Sequence, residues 1–177
     1  MRYLRNSSKP LAVVEVAALV VDATGTVVDS FDTIVRPQNP EEFENGAEHV
    51  NRISEEQVRG GMPLREALER VWSMSRGRWF TAHNAQFDIG FLHAESRRVG
   101  IEETLDSWID TLARARKVDT GKQRRHSLTA LCEHYGIERE QAHEALSDAT
   151  ATAELLIHLS RDIGLGSPAE LPGYFAR

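Results

Sequence analysis

Residues 11 to 37 do most to restrict the fold open to this chain. LAVVEVAALVV (11–21) is dense in Val and Ala, and TVVDSFDTIVRP (26–37) alternates apolar and polar positions. Ala23-Thr24-Gly25 between them is a turn signal, so the two stretches read as the strands of an antiparallel hairpin. Pro37 and Pro40 end the second strand. The first stretch carries Glu15 and is too short to cross a bilayer. Two strands alone are marginal in water, so the rest of the chain must supply an apolar surface against the hairpin.

The following sequence does this by alternating helices and strands. The acidic segment EEFENGAEHVNRISEEQV reads as a surface loop and then a short helix opening at Ser54, with Glu56 and Gln57 supporting its start. Pro63 begins a second helix, PLREALERVWSMSRG, with Leu64, Leu68, Val71 and Trp72 on one stripe. RWFTAHN is a short buried strand. Helical spacing returns from Ala85 to about Arg98 and stops at Gly100. SWIDT is another strand, followed by a helix at LARARKV, a basic loop GKQRRH and a helix SLTALCEHYG. A long helix runs from about Ser147 to Ile163, with Ser147 as its N-cap. A strand hairpin followed by strand–helix alternation implies an α/β domain, a mixed sheet flanked by helices. We place it at residues 1–164 as one unit, with an irregular C-terminal tail at 165–177.

Composition removes some classes of function. A net charge of −6 argues against general attraction to nucleic acid, although local Arg clusters or bound cations can reverse the sign at a site. The lone cysteine, Cys132, rules out an internal disulfide framework and leads us to expect a reducing, cytoplasmic setting. It lies in the amphipathic stretch LTALCEHYG, as a buried structural thiol would. No stretch reads as a signal peptide or a membrane span.

Two stretches carry chemistry. HNAQFDIGFL (83–92) sets Asp88 among apolar residues, where a carboxylate needs a positive partner: an Arg, a helix N-terminus or a metal ion. AHEALSDATATAELL (142–156) holds His143 and Asp148. Five residues apart on one helix, they would diverge by ~140°, so they meet only if His143 lies in the loop and Asp148 at the helix start. Taken alone, this is also how an ordinary helix begins beside a solvated His. Together the two stretches each put an acid at a helix start, where α/β sheets build their sites. Two carboxylates and an imidazole in one cleft would form a hard-cation site with a proton acceptor.

The ordered series VVEVAALVVDATG, HVNRISEEQV, TAHNAQFDIGFL, WIDTLARAR and RRHSLTALCEHYGI leading into AHEALSDATATAELL resembles the DnaQ-like 3′–5′ exonucleases of the DEDDh group, which include the proofreading epsilon subunit of bacterial DNA polymerase III. The resemblance runs from Leu11 to about Gly164 and implies a ribonuclease H-like fold. It makes Asp88 and Asp148 metal-site carboxylates and His143 the general base of a two-metal hydrolysis by Mg²⁺ or Mn²⁺. His83 and Asn84 match the second motif and orient the Asp88 region, with a structural role for His83 at least as well supported as a catalytic one. Single-stranded DNA or RNA 3′ ends are the implied substrates and a DNA polymerase subunit an implied partner. Phe87, Trp79, Lys122, Arg124 and Arg125 are the candidates for nucleic-acid contact, although a short basic run such as GKQRRH more commonly marks a solvated loop.

One part of the family pattern is missing. Its first motif, an Asp-x-Glu pair on the first strand, has no counterpart, since residues 1–14 contain no Asp or Glu. The first strand is therefore expected to be shortened or absent. Glu15 matches a Glu common in the family, and for it a packing role is expected ahead of a ligand role. An active enzyme with a missing segment, a nucleic-acid-binding or polymerase-associated module that does not cut, and a site completed by acids from elsewhere all fit this departure. Dimerisation is one way of covering the gap.

Overall fold

The computed structural model describes residues 2–6, 9–39, 52–105, 107–121, 124–139, 144–166 and 170, with only the backbone path given for residues up to 12. The expected hairpin forms: β2 (Lys9–Val21) pairs antiparallel with β3 (Val27–Arg36), from Glu15 opposite Ile34 to Val21 opposite Val27. At the turn, the Asp22 carboxylate accepts hydrogen bonds from the backbone N–H groups of Thr24 and Thr26 and from the Thr24 hydroxyl. These bonds hold the Asp22 carboxyl below its ordinary value. The first strand is present but short. β1 (Arg2–Asn6) lies antiparallel to β2 in an irregular register, Arg2 opposite Glu15 and Asn6 opposite Lys9.

Ser54 caps α1 (Glu55–Gly60) as expected, its hydroxyl accepting from the Gln57 N–H while Gln57 reaches back to the Ser54 N–H. A two-residue β4 (Met62–Pro63) then pairs parallel to β3 and leads into α2 (Leu64–Ser75). Its predicted stripe is buried, and the Trp72 indole N–H donates to the Ser96 hydroxyl at 2.8 Å. β5 (Phe80–Ala82) pairs parallel with β6 (Trp108–Asp110). α3 (Ala85–Arg98) connects them, and α4 (Thr111–Val118) follows β6. α5 (Leu128–Tyr135) opens at Ser127 and closes at Gly136, whose φ of +68° is the left-handed stop that glycine permits.

Two expectations need correcting. The last helix, α6 (Ala145–Asp162), starts before Ser147: the Asp148 N–H already bonds to the Glu144 carbonyl, so Glu144 holds the cap position and Ser147 lies within the first turn. The short strand at RWFTAHN is half-buried rather than buried, with β6 as its one strand partner among the described residues. The mixed α/β architecture with sheet flanked by helices is as expected, and its strands pair in two groups among the described residues. One sheet runs β1-β2-β3-β4 and a separate pair is β5-β6. The core divides in the same way, into a cluster of β2, β3, α2 and α3 around Trp72 and Leu92, one of α4, α5 and α6 around Leu131 and Leu155, and smaller ones that include Ile109 with Leu156. Cys132 is buried in the second cluster, and burial pushes its thiol up, as suits a structural residue. Of the expected tail, residues 167–169 and 171–177 lie outside the described residues.

Candidate active site

A cavity of about 640 Å³ lies between the two sheets. β2 and its turn (residues 17–23) form one side and residues 80–83 the other, while Val71 and Met74 of α2 and Ala149, Ala153 and Leu156 of α6 supply walls. Asp88, Asp148 and His83 all line it. Two of the acids singled out in the sequence therefore share one cleft, although they come from separate helices.

Asp88 is placed by the turn out of β5. Asn84 has φ +72° and ψ +50°, a left-handed conformation that Asn tolerates better than most residues. Its carbonyl accepts from the Phe87 N–H at 3.0 Å, opening α3 with Asp88 in the first turn. Asn84 acts through its backbone: its N–H donates to Asp110 Oδ1 at 3.1 Å. The same oxygen caps α4 by accepting from the N–H groups of Leu112 and Ala113. Asp110 thus ties the ends of β5 and β6 together. Our sequence reading missed it, although an Asp directly before a helix is an N-cap signal.

His83 is a clamp. Its Nε2 lies 2.9 Å from the His126 carbonyl, which can only accept, so Nε2 carries the proton and Nδ1 accepts from the Thr111 hydroxyl at 3.0 Å. Burial pushes this imidazole below its ordinary value, against the upward pull of the His126 carbonyl and the Asp110 carboxylate. Neutral, with both nitrogens engaged, it fits the structural role better than proton transfer.

Asp148 in the first turn of α6 is held by a residue the sequence did not disclose. The Arg139 guanidinium donates through Nη2 to Asp148 Oδ1 and through Nη1 to the Thr129 hydroxyl at 2.9 Å. Arg139 is nearly buried, at 8% side-chain exposure, and its Nε has no hydrogen-bond partner among the described residues. Nothing local in ERE marks it, because the contact depends on how α5 packs against α6.

The remaining candidates lie elsewhere. Glu15 is buried on β2 in the stretch that β1 covers and does not line the cleft. Phe87 is exposed and packs on Phe91, with ring centroids 5.0 Å apart, and Trp79 lines the cleft edge. Arg124 and Arg125 are exposed in the loop before α5, away from the cleft lining. His143 and Lys122 fall outside the described residues. Among the described residues no three His, Cys, Asp or Glu side chains are grouped to hold a metal ion. Mg²⁺ favours near-octahedral oxygen ligation, and a pair of ions needs more anionic oxygens than Asp88 and Asp148 provide. With a guanidinium already on Asp148, the described residues do not by themselves fit a two-cation centre.

The sequence profile of the RNase_T exonuclease family matches residues 6–156. The chain belongs to this exonuclease family. The solved structure of Exonuclease X in complex with 5′ overhanging duplex DNA is 30% identical, with a TM-score of 0.63 over 87% of this chain and 86% of that one. The nuclease domain of 3′hExo, a DEDDh family member bound to rAMP, has a TM-score of 0.73 over 94% of this chain and 90% of its own at 16% identity, a likeness of fold. Among curated proteins, the PolC-type DNA polymerase III of Staphylococcus saprophyticus is 30% identical over 151 residues, and that of Listeria monocytogenes 32% over 138. These matches cover 85% and 78% of this chain but only 10% and 9% of the polymerases, so the exonuclease-family domain spans about a tenth of those relatives. The fold is ribonuclease H-like, as the resemblance implied. Among the described residues no helix is long and apolar enough to cross a membrane.

Proposed function

We propose that this domain acts on nucleic-acid 3′ ends as a 3′–5′ exonuclease, with Asp88 and Asp148 as site carboxylates and His143 as general base. What supports the reading is the meeting of Asp88 and Asp148 in one cleft of an exonuclease-family fold. In such a hydrolysis water attacks the terminal phosphorus, the bond to the 3′-oxygen breaks and a nucleoside 5′-monophosphate leaves. The imidazole takes the water's proton, and the freed 3′-oxygen ends as a hydroxyl. Divalent Mg²⁺ or Mn²⁺ would supply the charge stabilisation, and the described carboxylates provide only part of their ligands. Proofreading beside a polymerase is the setting suggested by the PolC-type relatives.

A second reading is favoured by the Arg139–Asp148 ion pair, which neutralises one of the two acids. Under it the domain binds single strands or a polymerase without cutting. The deciding experiment incubates uniformly labelled single-stranded DNA and RNA with the chain in Mn²⁺ or in chelator, beside His143→Ala. Mononucleotide release lost in His143→Ala establishes the nuclease. Strand binding that weakens steeply with salt, without cleavage, establishes the second reading. Neither release nor binding removes both.

A further inference from the structure

Asp148 is the exposed side of an ion pair whose other side is buried. Its side chain is 36% exposed and lines the cleft, whereas that of Arg139 is only 8% exposed. An Arg–carboxylate staple is strongest when the guanidinium grips both carboxylate oxygens. Here the fork is divided instead. Nη2 donates to Asp148 Oδ1 and Nη1 to the Thr129 hydroxyl, so each partner is held through a single atom. Arg139 Nε is buried without a hydrogen-bond partner among the described residues, which leaves part of the cost of burying the cation uncompensated. The guanidinium therefore occupies Asp148 through a contact weaker than its chemistry allows.

We propose that Arg139 is an autoinhibitory cation: its guanidinium occupies the Asp148 carboxylate in the resting domain and withholds it from divalent ions until the side chain swings away. This rests on the reading of Asp148 as a site carboxylate. A positive charge hydrogen-bonded to that carboxylate repels a dication and takes one of the oxygen positions the ion would use. The same contact explains why the described carboxylates alone do not fit a cation pair. Asp88 and Asp148 bring two negative charges to the cleft, and Arg139 has already neutralised one of them. Release has a path, because Thr129 is exposed and a guanidinium that lets go of Asp148 passes into water rather than into the apolar core. A domain built in this way stays folded and charge-balanced without a metal ion.

The test titrates Mn²⁺ into the full 177-residue chain and its variants and follows the free ion by its paramagnetic resonance signal, so no readout requires turnover. Thr129→Val removes one anchor of the guanidinium and keeps its charge; it should tighten Mn²⁺ binding about threefold. Arg139→Gln removes the charge and should tighten binding about tenfold or more. Both gains should vanish when Asp148→Asn is added. If Arg139→Gln loses its cooperative melt and so does not fold, the Thr129→Val shift alone decides. Binding that is lost in Asp148→Asn yet unchanged or weaker in the other two variants overturns the proposal and leaves the nuclease reading standing. Binding that Asp148→Asn leaves unaltered in every form overturns the reading of Asp148 as a site carboxylate, and the proposal with it. Absence of binding in every form overturns the proposal as well.

Discussion

The two halves of β2 have similar composition and different surroundings. Val13, Val14, Glu15 and Val16 are all buried, around Glu15, which lies opposite Arg2 of β1 on one edge and Ile34 of β3 on the other. Residues 17–21, AALVV, are as apolar and just as fully paired to β3, yet all are half-buried. Burial declines where β1 stops. Strand propensity and hydrophobicity alone therefore do not set burial here: among the described residues the 17–21 half has β3 as its strand partner and forms the wall of a cleft. Asp88, Asp148 and His83 stand in that cleft.

The sharpest way to break the comparison is to remove equal side chains from the closed and open regions. Leu155 is fully buried against α4 and α5, so Leu155→Ala should cost about 2–5 kcal/mol. Leu19 on the cleft wall already keeps part of its surface in contact with solvent, and Leu19→Ala should cost less than about 1 kcal/mol. Urea melts of the two variants measure the gap. Equal losses would mean that residues 17–21 are packed as tightly as the α4–α6 core.

Arg139 tests the same contrast from the side of charge. It links the closed α5–α6 packing to the open cleft through Thr129 and Asp148. Arg139→Leu should destabilise by about 1–3 kcal/mol. The cost stays below that of stranding a wholly buried charge because the Asp148 side chain is 36% exposed and water can replace part of the contact. Millimolar Mn²⁺ should then raise the Tm of Arg139→Leu more than that of the parent, as a cation takes the place of the guanidinium. An equal Mn²⁺ response in both would show that Arg139 does not compete for the Asp148 carboxylate.

Legibility in the sequence follows the range of each interaction. The hairpin, the Ser54 capping box and the α2 stripe depend on residues within a few positions of one another, and all of them were readable. Asp88 and Asp148 were singled out because each sits at a helix start within a recognisable motif. The Arg139–Asp148 pair was not, since it needs the packing of α5 on α6, and neither was the split core, since one strand edge looks like another in sequence. Ser147 was misassigned as the N-cap because Ser outranks Glu in capping preference. The helix instead starts where Ala145 is buried.

The turn end of the hairpin offers a smaller effect. Gly25 has φ +89°, and a Cβ there would run into the Ile157 side chain of α6. Gly25→Ala should therefore cost about 1–2 kcal/mol, combining left-handed strain with the clash. Adding Ile157→Ala removes the clash alone, so the double variant should lose less than the sum of the two single changes. Strict additivity in denaturant melts would show that the turn does not rest on α6, and the far end of the cleft would then be open as well.

The smallest expected effect is a slope. Burial holds the His83 imidazole below its ordinary value, so the folded state favours the neutral ring that donates to the His126 carbonyl and accepts from Thr111. The unfolded chain takes up its proton near pH ~6.5. Stability from this group is therefore complete above that pH and is lost as the pH falls from there through the lower folded value. Asp32 acts in the opposite sense, because burial and the nearby Glu144 charge raise its carboxyl, but it does so down in the carboxylate range. The onset just below neutrality therefore belongs to the histidine. His83→Gln keeps a donor for the His126 carbonyl and cannot titrate, so its Tm should fall less between pH 7 and 5 than that of the parent. Parallel pH profiles would mean that the ring takes up its proton in the folded state as it does in the unfolded chain, so that burial does not hold it neutral.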